Sequence, residues 1–252
     1  TYLAVGHNGT PFTSVYKRAG DVLTKIANPA PIPTGNGNGV AWSPDTTYLA
    51  VAHTTSPFIS VYKRSGDVLT KLSSPTSLPV QQGQAVAWSP DGVYLAVMNN
   101  LSPFMIVYKR SGDVFTPIAT PTVLPTGNTF GTSFSPDGGY LSVAVSTSPF
   151  VTIYSLSSDV LTALPNPATL PTGGGYSTAY GLDVIPGVQW WDGSGWVGSE
   201  FEVASTAQPI STSDWLSGET YQYALANSDA FALGAYSPYR TLNPYEWWDG
   251  AA

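Results

Sequence analysis

Val40-Ala41-Trp42-Ser43-Pro44-Asp45 returns as Val86-Ala87-Trp88-Ser89-Pro90-Asp91, then as Thr132-Ser133-Phe134-Ser135-Pro136-Asp137, at a constant spacing of 46 residues. The same period carries Tyr2-Leu3-Ala4-Val5 through Tyr48-Leu49-Ala50-Val51 and Tyr94-Leu95-Ala96-Val97 to Tyr140-Leu141-Ser142-Val143. Pro11-Phe12, Pro57-Phe58, Pro103-Phe104 and Pro149-Phe150 hold the register without insertion or deletion. A strict period of this size denotes a repeat architecture, and roughly 40–45 residues suit a blade of four antiparallel strands.

One unit reads as four strands. Gly39–Ser43 is the first, ended by a Ser-Pro-Asp turn in which Pro lacks a donor and Asp accepts backbone hydrogen bonds. Tyr48–His53 is continuous and small-residued, as an inner strand buried on both faces should be. Phe58–Lys63 alternates in the third strand, Arg64-Ser65-Gly66-Asp67 turns the chain, and Val68–Leu72 is the fourth. A Pro/Ser/Thr-rich crossing over Ser73–Gln84 leads to the next unit, and nothing has helical spacing. The expected fold is all-β: a β-propeller of 46-residue four-stranded blades, four in this chain, over residues 1–185. A small C-terminal β module follows over residues 186–252.

The chain opens on a second strand and leaves the repeat on a degenerate first strand, Ser177-Thr178-Ala179-Tyr180-Gly181. Three closures fit. The last segment completes the first blade of a four-bladed ring, further repeats precede Thr1, or neighbouring chains complete a larger ring. Thr1 falls inside the motif with no basic and apolar leader before it, as expected of a processed or incomplete polypeptide.

Ser89-Pro90-Asp91-Gly92 followed by Tyr94-Leu95-Ala96-Val97 resembles the WD-repeat-like propellers. The longer unit, Ser56-Pro57-Phe58 with Val61-Tyr62-Lys63-Arg64-Ser65-Gly66-Asp67 and a Leu-Pro-Thr-Gly crossing, is similar to tandem propeller repeats of tailed-bacteriophage virion proteins. The resemblance covers about 185 of 252 residues. The Trp-Asp dipeptide and Gly-His pair of eukaryotic WD repeats do not recur in the 46-residue unit, which speaks against a signalling-scaffold role. In the tail, Trp190-Trp191-Asp192-Gly193-Ser194-Gly195-Trp196-Val197 reads as a hairpin whose Asp-Gly suits a tight primed turn. Trp247-Trp248-Asp249-Gly250 begins the same motif again, and it resembles hairpins near the ends of phage tail proteins. Phe201–Ala204, Tyr221–Ala226 and Phe231–Tyr236 read as strands between the two copies.

Only 10% of residues are charged, and the net charge is -7. Residues 1–185 balance eight cations against eight acids, whereas residues 186–252 set Arg240 alone against eight acids and hold six of the eight Trp. That shift marks a domain boundary near Pro186. Nine scattered cations do not build a nucleic-acid surface. No apolar run reaches 18 residues, so no membrane insertion is expected. The absence of Cys excludes disulfides, thiolate metal sites and Cys nucleophiles, and two His cannot make a three-His site.

Asp45, Asp91 and Asp137 fall at one turn of each repeat, and Asp21, Asp67, Asp113 and Asp159 at another. Acids repeated in this way read as turn formers, because an acid–base pair needs two unlike environments. Glu200 and Glu202 share one face of a strand and read as solvated. His7 and His53 occupy one repeat position, continued by Asn99 and Val145, and read as polar rim residues able to titrate near neutral pH. Lys17-Arg18, Lys63-Arg64 and Lys109-Arg110 become Ser155-Leu156 in the last repeat. They read as a solvated strand edge that blocks edge pairing, with a basic arc for an acidic partner as the alternative. Gly35-Asn36-Gly37-Asn38-Gly39 lacks the Lys-Ser/Thr of a phosphate loop and reads as a crossing. No Gly-x-Ser-x-Gly elbow is present.

Trp190, Trp191, Trp196, Trp215, Trp247 and Trp248 are the candidate binding residues, for a protein interface or for stacking on a glycan. No catalytic, cofactor or metal site is expected. The phage resemblance implies a non-enzymatic virion component outside the cell: a tail fibre or appendage that presents a propeller to the host surface, or a capsid decoration protein. Its partners would be other virion proteins, copies of itself and a host-surface glycan. A secreted carbohydrate-binding propeller is the rival reading.

Overall fold

A computed structural model describes residues 1–181, 189–191, 196–198, 221–224 and 239–242. The chain divides into two compact units, Thr1–Gly181 and Leu182–Ala252. The first unit is a β-propeller arc of four antiparallel sheets.

Blade A has three strands, β1 (Tyr2–Gly6), β2 (Thr13–Ala19) and β3 (Val22–Lys25). Blade B has four: β4 (Gly37–Trp42), β5 (Tyr48–His53), β6 (Ile59–Ser65) and β7 (Val68–Lys71). Blade C repeats them as β8 (Gly83–Trp88), β9 (Tyr94–Asn99), β10 (Met105–Ser111) and β11 (Val114–Pro117). Blade D does so as β12 (Thr129–Phe134), β13 (Tyr140–Val145), β14 (Val151–Ser157) and β15 (Val160–Ala163). Each blade is a meander in chain order, so local turns make every pairing within a blade.

The turns follow from composition. Ser43 Oγ donates to Asp45 Oδ1 at 2.5 Å, which also accepts from the Thr47 N–H at 3.0 Å. The same bracket recurs at Ser89–Asp91 and Ser135–Asp137, so these acids act as turn formers. Gly66 opens the two-residue hairpin loop between β6 and β7 at φ 57°, a region closed to most side chains. The Ser/Thr-Pro-Phe loop places Phe12, Phe58, Phe104 and Phe150 at φ between 66° and 69°, and the Phe58 carbonyl accepts the His53 N–H at 3.0 Å.

The core lies between blades. Strand β5 is buried along its whole length. One of its faces presents Tyr48, Ala50 and Ala52 to Trp88, Leu95 and Val97 of blade C. The other presents Leu49 and Val51, with Tyr62 and Leu69, to Val15, Tyr2 and Ala4 of blade A. Blade C meets blade D likewise, through Met98, Met105 and Val107 against Leu141, Val143 and Tyr154. The innermost strands approach so closely that only small residues fit: a Cβ on Gly39 would lie 2.9 Å from the Ala85 Cα.

The arc is open at both ends. Residues 175–181 lie against blade D as β4 lies against blade A: Gly175 N–H donates to Val145 O at 2.8 Å, as Gly37 N–H donates to His7 O at 3.1 Å. They form no strand, because no further strand lies beside them among the described residues. Nor do they join the sheet of blade A, whose order is β1-β2-β3. The four-bladed closure considered from the sequence is therefore not formed here.

In the second unit, β16 (Gln189–Trp191) pairs with β17 (Trp196–Gly198), and β18 (Tyr221–Ala224) pairs with β19 (Tyr239–Leu242). The first pair is the expected Trp hairpin, and β18 lies within the expected strand Tyr221–Ala226. The strands expected at Phe201–Ala204 and Phe231–Tyr236 lie outside the described residues.

Candidate functional site

A polar feature that recurs through the propeller is a clasp between neighbouring blades. Tyr2 Oη donates to Asp67 Oδ1 at 2.6 Å, and Lys17 Nζ lies 2.9 Å from Asp67 Oδ2. Tyr48 and Lys63 hold Asp113 in the same way, at 2.6 and 2.8 Å. Tyr94 and Lys109 hold Asp159, again at 2.6 and 2.8 Å. The strands supply the spacing: Tyr begins the second strand, Lys stands opposite it in the third, and Asp caps the outer hairpin of the next blade.

The electrostatics follow the contacts. Lys63, then the Tyr48 hydroxyl, hold Asp113 below the usual carboxylate range. The Tyr2 hydroxyl and Lys17 do the same for Asp67. Burial and then Asp159 push Tyr94 up to about 12. Arg64 completes the joint: its guanidinium stacks 4.4 Å from the Tyr2 ring centroid and its Nε donates to Thr46 O at 2.8 Å. Arg110 sits over Tyr48 at 4.8 Å.

The Lys residues of these pairs stand about half exposed, as a solvated strand edge should, and each also binds an acid of the next blade instead of forming a free basic arc. Asp67, Asp113 and Asp159 are turn residues that also hold blades together. The replacement Lys63→Ser, the residue blade D carries at position 155, should let the Asp113 carboxyl rise toward its ordinary value. NMR titration of the side-chain carboxyl reads the shift, and an unmoved value would show that the ion pair contributes nothing.

His53 also differs from its expectation. It is a core residue, fully buried, with Nε2 2.9 Å from Ser60 Oγ and Nδ1 3.5 Å from Thr34 Oγ1. Burial lowers its pKa to about 4, so it is neutral at neutral pH. The rim reading failed because position 53 ends an inner strand covered by the Thr34 crossing. Asn99 and Val145 at the same repeat position are buried too. His7, in the first blade, places its Nε2 3.1 Å from Ser14 Oγ.

A cleft of about 290 Å³, lined among others by Met105, Val107, Pro117 and Leu161, contains no ionisable side chain. Among the described residues, no group of three or more His, Asp or Glu gathers to hold a metal ion. Of the candidate Trp residues, Trp191 stands directly opposite Trp196 across the hairpin, and Trp190 opposite Val197. Trp215, Trp247 and Trp248 lie outside the described residues, as do Glu200 and Glu202. The clasp was missed because its members are 50 and 65 residues apart. A signal was present: the repeat that loses Lys, at Ser155, is the one with no further Asp of the series after it.

The four sheets, their meander order and their junctions define a β-propeller. No protein-family model and no curated protein sequence matches the chain. Among solved structures it is similar to a candidate 6-phosphogluconolactonase from Bacteroides fragilis, at 14% identity and a TM-score of 0.51, over 66% of this chain and 50% of that one. A candidate 6-phosphogluconolactonase from Bacteroides uniformis matches at 17% identity and a TM-score of 0.49, over 65% and 54%. A protein from Lactobacillus plantarum matches at 21% and 0.47, over 66% and 51%. The chain therefore spans about half the length of these structures, and at such identity the likeness concerns the fold alone.

Proposed function

We propose that the chain is a non-enzymatic structural and binding protein of a tailed-phage particle, most simply a tail fibre or appendage that presents a rigid propeller to the host surface. The observation that carries the non-enzymatic part is the use of the repeated polar groups. Tyr, Lys and Asp clasp blades, Ser and Asp bracket turns, and His53 is buried among hydroxyls. A propeller enzyme instead needs blade-specific polar groups that converge with separated pKa values. The phage setting rests on the resemblance of the Ser-Pro-Phe and Trp-Asp-Gly motifs to virion repeats. In this reading the protein acts outside the cell, on the virion. Its partners are other virion proteins, further copies of itself and a host-surface glycan, with Trp190, Trp191 and Trp196 offered by the second unit.

Antibody raised against the full chain should decorate tail structures of the parent particle in electron micrographs. Decoration spread over the capsid would favour the decoration role. Absence from particles, together with binding to several glycan sites per chain, would favour a secreted lectin. Hydrolysis of 6-phosphogluconolactone by the purified chain would overturn the non-enzymatic reading.

A further inference from the structure

The repeats differ from one another at one end of the strands and agree at the other. We infer that the end where the inner strands begin, centred on blade C, is a binding site for a neutral saccharide. This rests on the proposed role at a host-surface glycan and moves the contact from the second unit to the propeller.

Blades B and C show where the difference lies. On the side of the Ser-Pro-Asp turns and the clasps they are the same but for Thr46-Thr47 against Gly92-Val93. On the opposite side, Thr34-Gly35-Asn36-Gly37-Asn38-Gly39 becomes Val80-Gln81-Gln82-Gly83-Gln84-Ala85, and Ala52-His53-Thr54-Thr55 becomes Met98-Asn99-Asn100-Leu101.

The two changed segments meet in the fold. In blade B the Thr54 N–H donates to Asn36 O and the Asn36 N–H to Thr54 Oγ1, both at 3.1 Å. Thr55 Oγ1 donates to Thr34 O at 2.9 Å. Blade D keeps this lock: the Ser146 N–H donates to Asn128 O at 2.9 Å, and a Cβ on Gly127 would lie 2.6 Å from Thr147 Oγ1. Blade C exchanges both sides of the lock together, setting Gln81 and Gln82 beside Asn100 and Leu101. Asn100 Oδ1 is buried there with no partner among the described residues. Folding does not favour such an acceptor, since its lost hydration goes uncompensated.

A row of inserted residues adjoins the altered lock. Asn38, Gln84 and Phe130 are the extra residues at the register shifts where β4, β8 and β12 pair with the second strands of their blades. A bulge of this kind re-aims the side chain that it adds. The three inner strands stand side by side, and Asn38 Nδ2 donates to Gly83 O of blade C at 2.9 Å. Tyr176 holds the same repeat position, its ring centroid 5.5 Å from that of Phe130. The row therefore runs from two carboxamides to two rings, at a position that no two units fill alike.

The chemistry of the row selects its ligand. Of the charged side chains in residues 1–181, only Lys25 and Lys71 lie at this end of the sheets, each closing an outermost strand. A phosphate or carboxylate would find no cation at the inner strands, and an ammonium group no carboxylate. Carboxamides donate and accept at once, as sugar hydroxyls do. Aromatic faces cover the apolar C–H face of a sugar ring. Hydroxyls within reach of Gln82, Gln84 and Asn100, with a ring face on Phe130, satisfy both halves of the site.

A glycan array of neutral and acidic bacterial surface oligosaccharides tests this with the full chain. Neutral oligosaccharides should bind, and added salt should not weaken them, because no ion pair is involved. Gln84→Ala and Phe130→Ala should each weaken binding about tenfold. Val80→Thr, Gln81→Gly, Gln82→Asn, Asn100→Thr and Leu101→Thr together copy blade B into blade C. That variant restores a lock the protein already uses, so it should keep its β-sheet circular dichroism and unfold no earlier, yet lose binding. A wild type that binds no neutral oligosaccharide would overturn the inference. So would binding retained by the fivefold variant, or binding confined to acidic glycans. Binding that disappears with Trp190→Ala and Trp191→Ala but survives Gln84→Ala would overturn it too and leave the proposed function standing. The proposed function falls separately, if the chain is absent from particles.

Discussion

Leu95→Ala is expected to lower the unfolding free energy by about 2–5 kcal/mol. Leu95 is fully buried between blades B and C, beside Trp88 and Phe115, in a core made of small strands and large rings. The side chain stands second in β9, a strand paired on both sides, so the surrounding backbone has little freedom to collapse into the space left. Leu49→Ala and Leu141→Ala should behave alike, because both are fully buried at the same repeat position. Chemical denaturation followed by Trp fluorescence measures all three. A loss below about 1 kcal/mol at these positions would contradict a core built from blade-to-blade contact.

The second large effect is a pH dependence carried by His53. Its pKa falls from 6.5 in the unfolded chain to about 4 in the folded one. Between those values the unfolded state holds a proton that the native state does not. Stability therefore falls as pH drops from 6.5 towards 4, by about 3 kcal/mol in total, and is level in this respect above 6.5. The clasp carboxylates act lower. Asp67, Asp113 and Asp159 have depressed pKa values, so their contribution is present above the ordinary aspartate value of 3.8 and is lost as pH falls below it. His53→Asn, which copies the buried Asn99 of the next blade, should flatten the limb between pH 6.5 and 4 and leave the more acidic limb in place. An unchanged profile would show that His53 is not the group responsible.

Much of the fold was legible because one unit is written four times. The period placed Tyr48–His53 as the inner strand at its observed bounds, and the Ser-Pro-Asp turn told where β4 stops. What was not legible depends on contact between units. The turn preference of Asp67 hid its bond to Tyr2, since turn chemistry is local and the clasp is not. His53 read as a rim residue because its position varies between repeats, to Asn99 and Val145, whereas the crossing segment that buries it lies 19 residues away. The candidate Trp residues read as an interface from composition, and the structure adds the backbone pairing of Trp191 with Trp196.

Each junction joins a blade only to the blade beside it, through Tyr, Lys and Asp in fixed register. Excising residues 48–93 would bring Tyr2 and Lys17 to Asp113, which is chemically the same partner as Asp67. Blade number is thus a quantity that unequal recombination between repeats can change in whole steps without creating a foreign interface. A lineage that gained or lost one unit would keep the same chemistry at every joint between neighbouring blades.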